Sequence, residues 1–416
     1  MTNMQLHQWT LSSGVQVVFE HAPQAQITSF DLIVGSGQAT EAPGQKGWTH
    51  LITSMYDRGC RQYNEEQIQK QVYTYQIDYD GIMGNHFLGL EFQVPQAYWQ
   101  KALTLCKAML IHPLFESNKL AQEVQVITQE ITKLQNDPGE VLALAFFKQM
   151  FEDHPYAHHA WGDASSLLQA TTENLRVFYT DALRGQWYLN IVGDHDPEAL
   201  RSFLEDLFTD IVGAHTKQEH KAVLFTPTRK QMRIPSDFHK LYGALGFPLC
   251  EVAHQDRFAL EWIRQYWVHA LGGRLFERIR EELGLVYDID CSNSFLRDAG
   301  CMLISYAADM QAEAEIDQVL QQEIQNICQQ KIPSDVYIRM QKYIRGSAQI
   351  EWDPVSNHVD YYNQAKLYQT TLDYQQELEQ LLAVTREDIQ TTAQKYFTQN
   401  FVDVKLVTKG ESSITY

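Results

Sequence analysis

The sequence predicts an α+β protein of two homologous domains, each a mainly antiparallel sheet with helices packed on one face. Three observations predict it. The chain has 416 residues, more than one hydrophobic core usually organises. One pattern of elements recurs after about 215 positions. Helical and strand-like stretches alternate without the glycine-rich strand–helix turn of nucleotide-binding folds.

Taken in order, the first half opens with two β-rich runs, Val15 to Phe19 and Ile27 to Val34, read as a hairpin-like pair and closed by Gly35-Ser36-Gly37. From Gly44 to Gly59, Trp48, Leu51, Ile52 and Met55 recur at helical spacing, with Gly59 placed as a C-cap. A long helix starts after Pro113 at Ser117 and runs out before Asp137-Pro138, and its echo starts at Ser334 and runs out before Asp353-Pro354. Thr171 opens a helix that leads into the strand Trp187 to Val192, and Thr385 opens one that leads into Val402 to Val407. The expected boundaries are 1–213 for the first domain, 214–230 for a polar linker and 231–416 for the second domain.

Composition narrows the function. Thirty-three basic against 52 acidic residues leave a net charge of −19, which disfavours nucleic acid and anionic lipid. No run of about 18 apolar residues is present to span a membrane. The first residues carry no basic, apolar export signal, so a cytoplasmic location is expected, with a processed periplasmic protein as the alternative. Six scattered cysteines without a C-x-x-C pair read as buried, reduced thiols.

Three stretches carry the chemistry. On the Gly44–Gly59 helix, His50 and Ser54 share a face beside the apolar stripe, and His50 alone reads as a helix histidine with a local hydrogen bond. On the Ser117 helix, Leu120, Val124, Ile127, Ile131 and Leu134 face inward, while Glu123 and Glu130 share another face two turns apart. From Ala270 to Tyr287 the sequence reads as a glycine break, a short helix striped by Leu275, Ile279 and Leu283, a Gly284 cap and a strand. Arg278 and Glu282 suit an i,i+4 pair there, and Arg280 by itself reads as surface charge. His154, His158 and His159, with Asp153 and Asp163, form a histidine-rich turn, but adjacent histidines rarely converge on one ion. His86 is a weaker metal candidate still.

With these residues on the page, the chain resembles the pitrilysin/insulinase family of zinc peptidases, the inverzincins, over essentially its full length. Mitochondrial processing peptidase belongs to the same family. The likeness includes the doubled domain, the Asp137-Pro138 helix end and the His154-Pro155-Tyr156 turn followed by Gly162. The short bacterial members, which work as unlike pairs, are the most similar. Family members carry H-x-x-E-H where this chain reads His50-Leu51-Ile52-Thr53-Ser54. The first histidine remains. Thr53 stands in place of the catalytic glutamate and Ser54 in place of the second zinc-binding histidine, while Glu130 matches the glutamate ligand and Glu123 its helix companion.

Catalytic zinc needs three protein ligands, a water and a base, and threonine is no carboxylate base. The resemblance therefore implies no zinc in this chain, which would be inactive alone, and zinc in a homologous partner with intact H-x-x-E-H. It further implies two domains forming a half-shell. Arg280 and Tyr287 match the arginine and tyrosine that the non-catalytic subunit directs at the substrate peptide across the chamber. A non-enzymatic scaffold of the same fold and a metallopeptidase rebuilt around His50 and Glu130 are the competing expectations.

Overall fold

The computed structural model describes residues 5–211, 229–268, 272–397 and 399–409. Most of the expected 214–230 linker, and the start of the Ala270 to Tyr287 stretch, lie outside the described residues. Among the described residues, no helix is long and apolar enough to cross a membrane, and no disulfide joins the six cysteines, five of which are buried.

Two sheets organise the chain. The first contains β1 (Gln5–Thr10), β2 (Gln16–His21), β3 (Ile27–Val34), β4 (Asp78–Met83), β5 (Leu88–Pro95) and β6 (Trp187–Gly193), in the order β1-β2-β6-β3-β5-β4. The second contains β7 (Lys230–Ser236), β8 (Leu241–Leu249), β9 (Val286–Phe295), β10 (Gly300–Ala308) and β11 (Val402–Thr408), in the order β7-β11-β8-β10-β9. Each sheet has one parallel pair, β2 with β6 and β7 with β11, and the other pairs are antiparallel. In both, the last strand of the half returns to an interior position of its sheet.

That return corrects one expectation. β2 and β3 do not pair as a hairpin, because β6 lies between them and bonds to both. Leu189 and Ile191 of β6 serve one face of the sheet and Val192 the other. A strand buried on both faces belongs inside a sheet, and this one displaces the local pairing.

The chain separates into two compact units. The first comprises Met1–Thr132, His158–Lys221 and Glu351–Leu372; the second comprises Lys133–Ala157, Ala222–Ile350 and Asp373–Tyr416. In the first unit, Phe19, Phe30, Leu32, Leu51, Ile52 and Phe92 belong to one core under the helices. Helix Val355–Tyr368, from the second half of the sequence, covers the opposite sheet face by packing Val359 and Tyr362 with Val18 and Val192. Buried polar bonds fix it there: Tyr362 donates to Glu20 (2.6 Å), and Asn190 donates to Asn363 (2.6 Å).

The second unit repeats the scheme with the roles exchanged. Its helix-side core contains Leu241, Phe247, Trp262, Trp267 and Ile304. Helix Pro138–Phe151, from the first half, covers the other face with Leu142 and Phe146 against Ala244, Val404 and Leu406. A Cβ at position 246 would lie 2.4 Å from the Phe146 ring, so Gly246 permits that approach. The internal echo is visible in helix starts too: Thr171 and Thr385 each complete a capping box.

Candidate functional site

The expected helix over Gly44 to Gly59 is shorter than its hydrophobic pattern. It spans Trp48–Thr53, and Gly59 is not its C-cap but sits in a bridge to Asn64 at φ 129°. The reason is local. Thr53 and Ser54 both donate their hydroxyls to the His50 carbonyl, at 2.9 and 3.0 Å. Such bonds offer the backbone an alternative to further helical turns. The two residues expected at the glutamate and histidine positions of H-x-x-E-H thus turn their hydroxyls onto their own helix.

His50 is half-buried, and its ring stacks on Trp161 with centroids 5.1 Å apart. Its Nδ1 is buried and has no hydrogen-bond partner among the described residues. Burial, with His159 adding to it, lowers its pKa to about 4, against the opposing pull of Asp80. His50 is therefore a neutral imidazole near pH 7.

The two glutamates have diverged. Glu123 is 7% exposed and accepts from Arg58 Nη2 at 3.0 Å, while Arg58 Nη1 donates to Glu65 at 2.9 Å. Burial nevertheless raises the Glu123 pKa, with Arg58 working against it. Glu130 is half-buried, with no hydrogen bond or ion pair among the described residues. The residues present do not fit a catalytic zinc. Two candidate positions are hydroxyls turned into their own helix, one glutamate is held by an arginine, and His50 is covered by an indole. Sequence reasoning missed Trp161 and Arg58. No spacing rule links Arg58 to Glu123, although Trp161 lies within the histidine-rich turn already singled out.

That turn is structural. Gln38 donates to the carbonyls of His158 and His159 at 3.1 and 3.0 Å, and His159 Nδ1 accepts from the Trp161 amide at 3.2 Å. Asp163 caps helix Ala164–Leu167 through the Ser166 amide. His154 belongs to the second unit and His158 and His159 to the first. His86 is 1% exposed and packs edge-on against Tyr368. Among the described residues, the one group of three or more His, Cys, Asp or Glu with ligand atoms mutually within 4.8 Å is elsewhere: Asp31, Glu91 and Asp360.

The Arg280 and Tyr287 segment differs in leaving Arg280 exposed. Phe276–Glu282 forms a π-helix, with buried Ile279 anchoring it, and Gly284 follows in the left-handed region at φ 62°. Its wider turn is uncommon and often marks functional positions. Arg278 pairs with Glu282 at 2.5 Å. Arg280 is exposed, lies over the Phe276 ring at 4.8 Å and has no carboxylate partner among the described residues. Tyr287 is 49% exposed on β9, an edge strand of the second sheet. Its hydroxyl donates to Asp309 at 2.9 Å, and Lys240 Nζ sits 3.4 Å from its ring centroid. The Asp309 bond raises the Tyr287 pKa, so the phenol keeps its proton. No hydrogen bond, ion pair or ring contact joins Arg280 to Tyr287.

Comparison with known proteins gives these features their setting. A protease from Helicobacter pylori superposes with a TM-score of 0.87 at 16% identity, covering 97% of this chain and 99% of that one. A peptidase M16 inactive domain from Pseudomonas fluorescens superposes with a TM-score of 0.86 at 17% identity, covering 97% and 98%. The fold is thus a two-domain peptidase fold. Residues 16–164 match the insulinase family, peptidase family M16, and residues 169–343 match the peptidase M16 inactive domain. The chain belongs to the insulinase (M16) family. Uncharacterized zinc proteases are among its relatives: one from Rickettsia bellii is 23% identical, covering 83% of this chain and 84% of that protein. One from Bacillus subtilis is 21% identical, covering 95% and 97%.

Proposed function

We propose that this chain is the non-catalytic subunit of a zinc metallopeptidase assembled from two unlike homologous chains. Its partner carries an intact H-x-x-E-H and holds the zinc. The observation that carries the reading is the contrast in one molecule: the Thr53 and Ser54 hydroxyls are spent on their own helix and Trp161 stacks on His50, while Arg280 is exposed with no carboxylate partner among the described residues.

Arg280 and Tyr287 bind the substrate peptide backbone. A guanidinium fork donates to a peptide carbonyl and strengthens as negative charge builds on that oxygen. Tyr287 reaches the same peptide by redirecting the hydroxyl that now donates to Asp309. Its position on edge strand β9 places it beside unpaired backbone groups, where an extended peptide can align. Phe276 beneath Arg280 supports the guanidinium plane without consuming its donors.

The test uses the purified chain alone and mixed with a homologous chain containing intact H-x-x-E-H. Cleavage of unstructured peptides should be absent from this chain alone and should appear, chelator-sensitive, with the pair. Chelator-sensitive cleavage by homogeneous chain alone overturns the reading. A partner whose full activity is indifferent to this chain leaves the scaffold alternative in its place.

A further inference from the structure

The first unit holds three carboxylates that the peptidase reading does not use. Asp31 of β3 and Glu91 of β5 stand directly opposite each other in the antiparallel register. Like charges so placed cost stability. Asp360 joins them from helix Val355–Tyr368, and the carboxylate oxygens of all three lie mutually within 4.8 Å. All three residues belong to the first unit. Their charge is not balanced. The charged groups acting on Asp31 and Glu91 are each other and Asp360, with Asp78 and Asp80 near Glu91, and no lysine, arginine or histidine is among them.

The carboxylates share a small cavity of about 30 Å³ with Ser29 and Ser356, room for one ion and a water. Ser29 is the independent sign of a ligand. It lies two residues before Asp31 on β3 and opposite Val192, and so on the sheet face that helix Val355–Tyr368 covers. It is 2% exposed, and its hydroxyl has no hydrogen-bond partner among the described residues. A buried hydroxyl left unpaired is costly unless something in the cavity meets it. Asp31, 3% exposed, is held in place for the same task. Asn363 donates to its Oδ2, and Asn190 fixes that amide by donating to Asn363 Oδ1 at 2.6 Å. Oδ1 of Asp31 has no hydrogen-bond partner among the described residues.

We infer that Asp31, Glu91, Asp360 and the Ser29 hydroxyl bind one hard divalent cation, Ca²⁺ or Mg²⁺. All four offer oxygen, and a donor set without nitrogen or sulfur suits these ions. Burial raises the Asp31 pKa well above its usual value, with Asp360 and Glu91 adding to it against the Asn363 bond. Burial raises Glu91 and Asp360 as well. Without an ion the cluster relieves its charge by holding a proton, and the cation takes that proton's place. Glu91 and Asp360 stay partly open to solvent, which gives the ion a way in. Once bound, it ties helix Val355–Tyr368 to β3 and β5.

Calorimetric titration of the full chain, stripped with a chelator and dialysed, with CaCl₂ and with MgCl₂ tests this. One ion per chain should bind, with a dissociation constant below about 1 mM. Glu91→Gln and Asp360→Asn should each weaken binding at least about tenfold, and Ser29→Ala several-fold, as ligand charge and ligand number fall. The tighter ion should also raise the melting midpoint of the unsubstituted chain and leave that of Asp360→Asn nearly unmoved. Tighter Ca²⁺ or tighter Mg²⁺ assigns the ion. No saturable binding of either, or binding unchanged in both carboxylate variants, overturns the inference and leaves a cluster that shares a proton. Should one carboxylate variant fail to fold, the other decides.

Discussion

The His50 region and the Arg280 region hold comparable chemical groups and treat them in opposite ways. Around His50, the polar side chains that could serve a metal have mostly found another task or been covered, while Glu130 has no hydrogen bond or ion pair among the described residues. Thr53 and Ser54 bond to their own helix, Glu123 bonds to Arg58, and Trp161 stacks on the imidazole. Around Arg280, the guanidinium rests on Phe276 with its donors available, and Tyr287 stands half-exposed on a sheet edge. A group satisfied inside the fold contributes to stability and is lost to chemistry. A group left exposed contributes little to stability and stays available. The same substitution should therefore have opposite consequences in the two regions.

The strongest break of this comparison is an attempt to reopen the first region. Thr53→Glu with Ser54→His restores the ligand types. Trp161 still covers His50, however, so the double variant should not take up stoichiometric zinc. Adding Trp161→Ala should raise zinc affinity by about tenfold to a hundredfold, the usual weight of the shell around a metal site. Elemental analysis after dialysis reads it. Full zinc uptake by the double variant would show that the indole is no barrier.

The second region should answer through turnover. In the reconstituted pair, Arg280→Ala should lower turnover about a hundredfold, or about 2–4 kcal/mol in the barrier, because the contact tightens as charge develops. Its effect on unfolding free energy should stay within about 0.5 kcal/mol, as for other exposed positions. Unchanged turnover in both Arg280→Ala and Tyr287→Phe would favour the scaffold reading.

How much of this contrast was legible beforehand follows from which signals are local. Capping threonines at 171 and 385 and the Asp-Pro helix ends revealed the doubled fold, since caps and proline constraints act within a few residues. The same Asp137-Pro138 is also a start signal: Asp137 accepts from the Gly139 and Glu140 amides and opens the helix that crosses to the second unit. That crossing was not legible, nor was the insertion of β6 between β2 and β3. Periodicity states which face of an element is buried, but not which sheet covers it. The site shows the same limit. Substitutions at Thr53 and Ser54 stand in the sequence itself, whereas Arg58 reaches Glu123 and Trp161 reaches His50 only through the fold.

Stability should show the first region's side of the contrast. Arg58→Ala leaves Glu123, 7% exposed, without its cation and Glu65 with only Lys119. Part of the lost interaction is screened, because the Arg58 side chain is 36% exposed. The expected cost is about 2 kcal/mol in urea unfolding. A cost indistinguishable from that of Arg280→Ala would mean that the two arginines are equally peripheral.

The smallest expected effect tests whether His50 is truly closed off. Its folded pKa is lowered to about 4, from a reference value of 6.5. Between those two values the unfolded chain binds a proton that the folded site refuses. Stability must therefore fall as pH drops from about 6.5 to about 4, and His50 adds no further loss below that. His195 contributes a parallel loss, because burial lowers its pKa to about 4 as well, and its Nε2 lies 2.9 Å from Thr28 Oγ1. His50→Gln should remove one of these two contributions and leave the other. Allowing for the part of His50 that remains exposed, the gain at pH 4 relative to pH 7 should be about 1 kcal/mol. Urea unfolding of both proteins at the two pH values measures it. An identical pH slope would mean that His50 titrates as it does in water, which a ring stacked under Trp161 with a buried Nδ1 should not do.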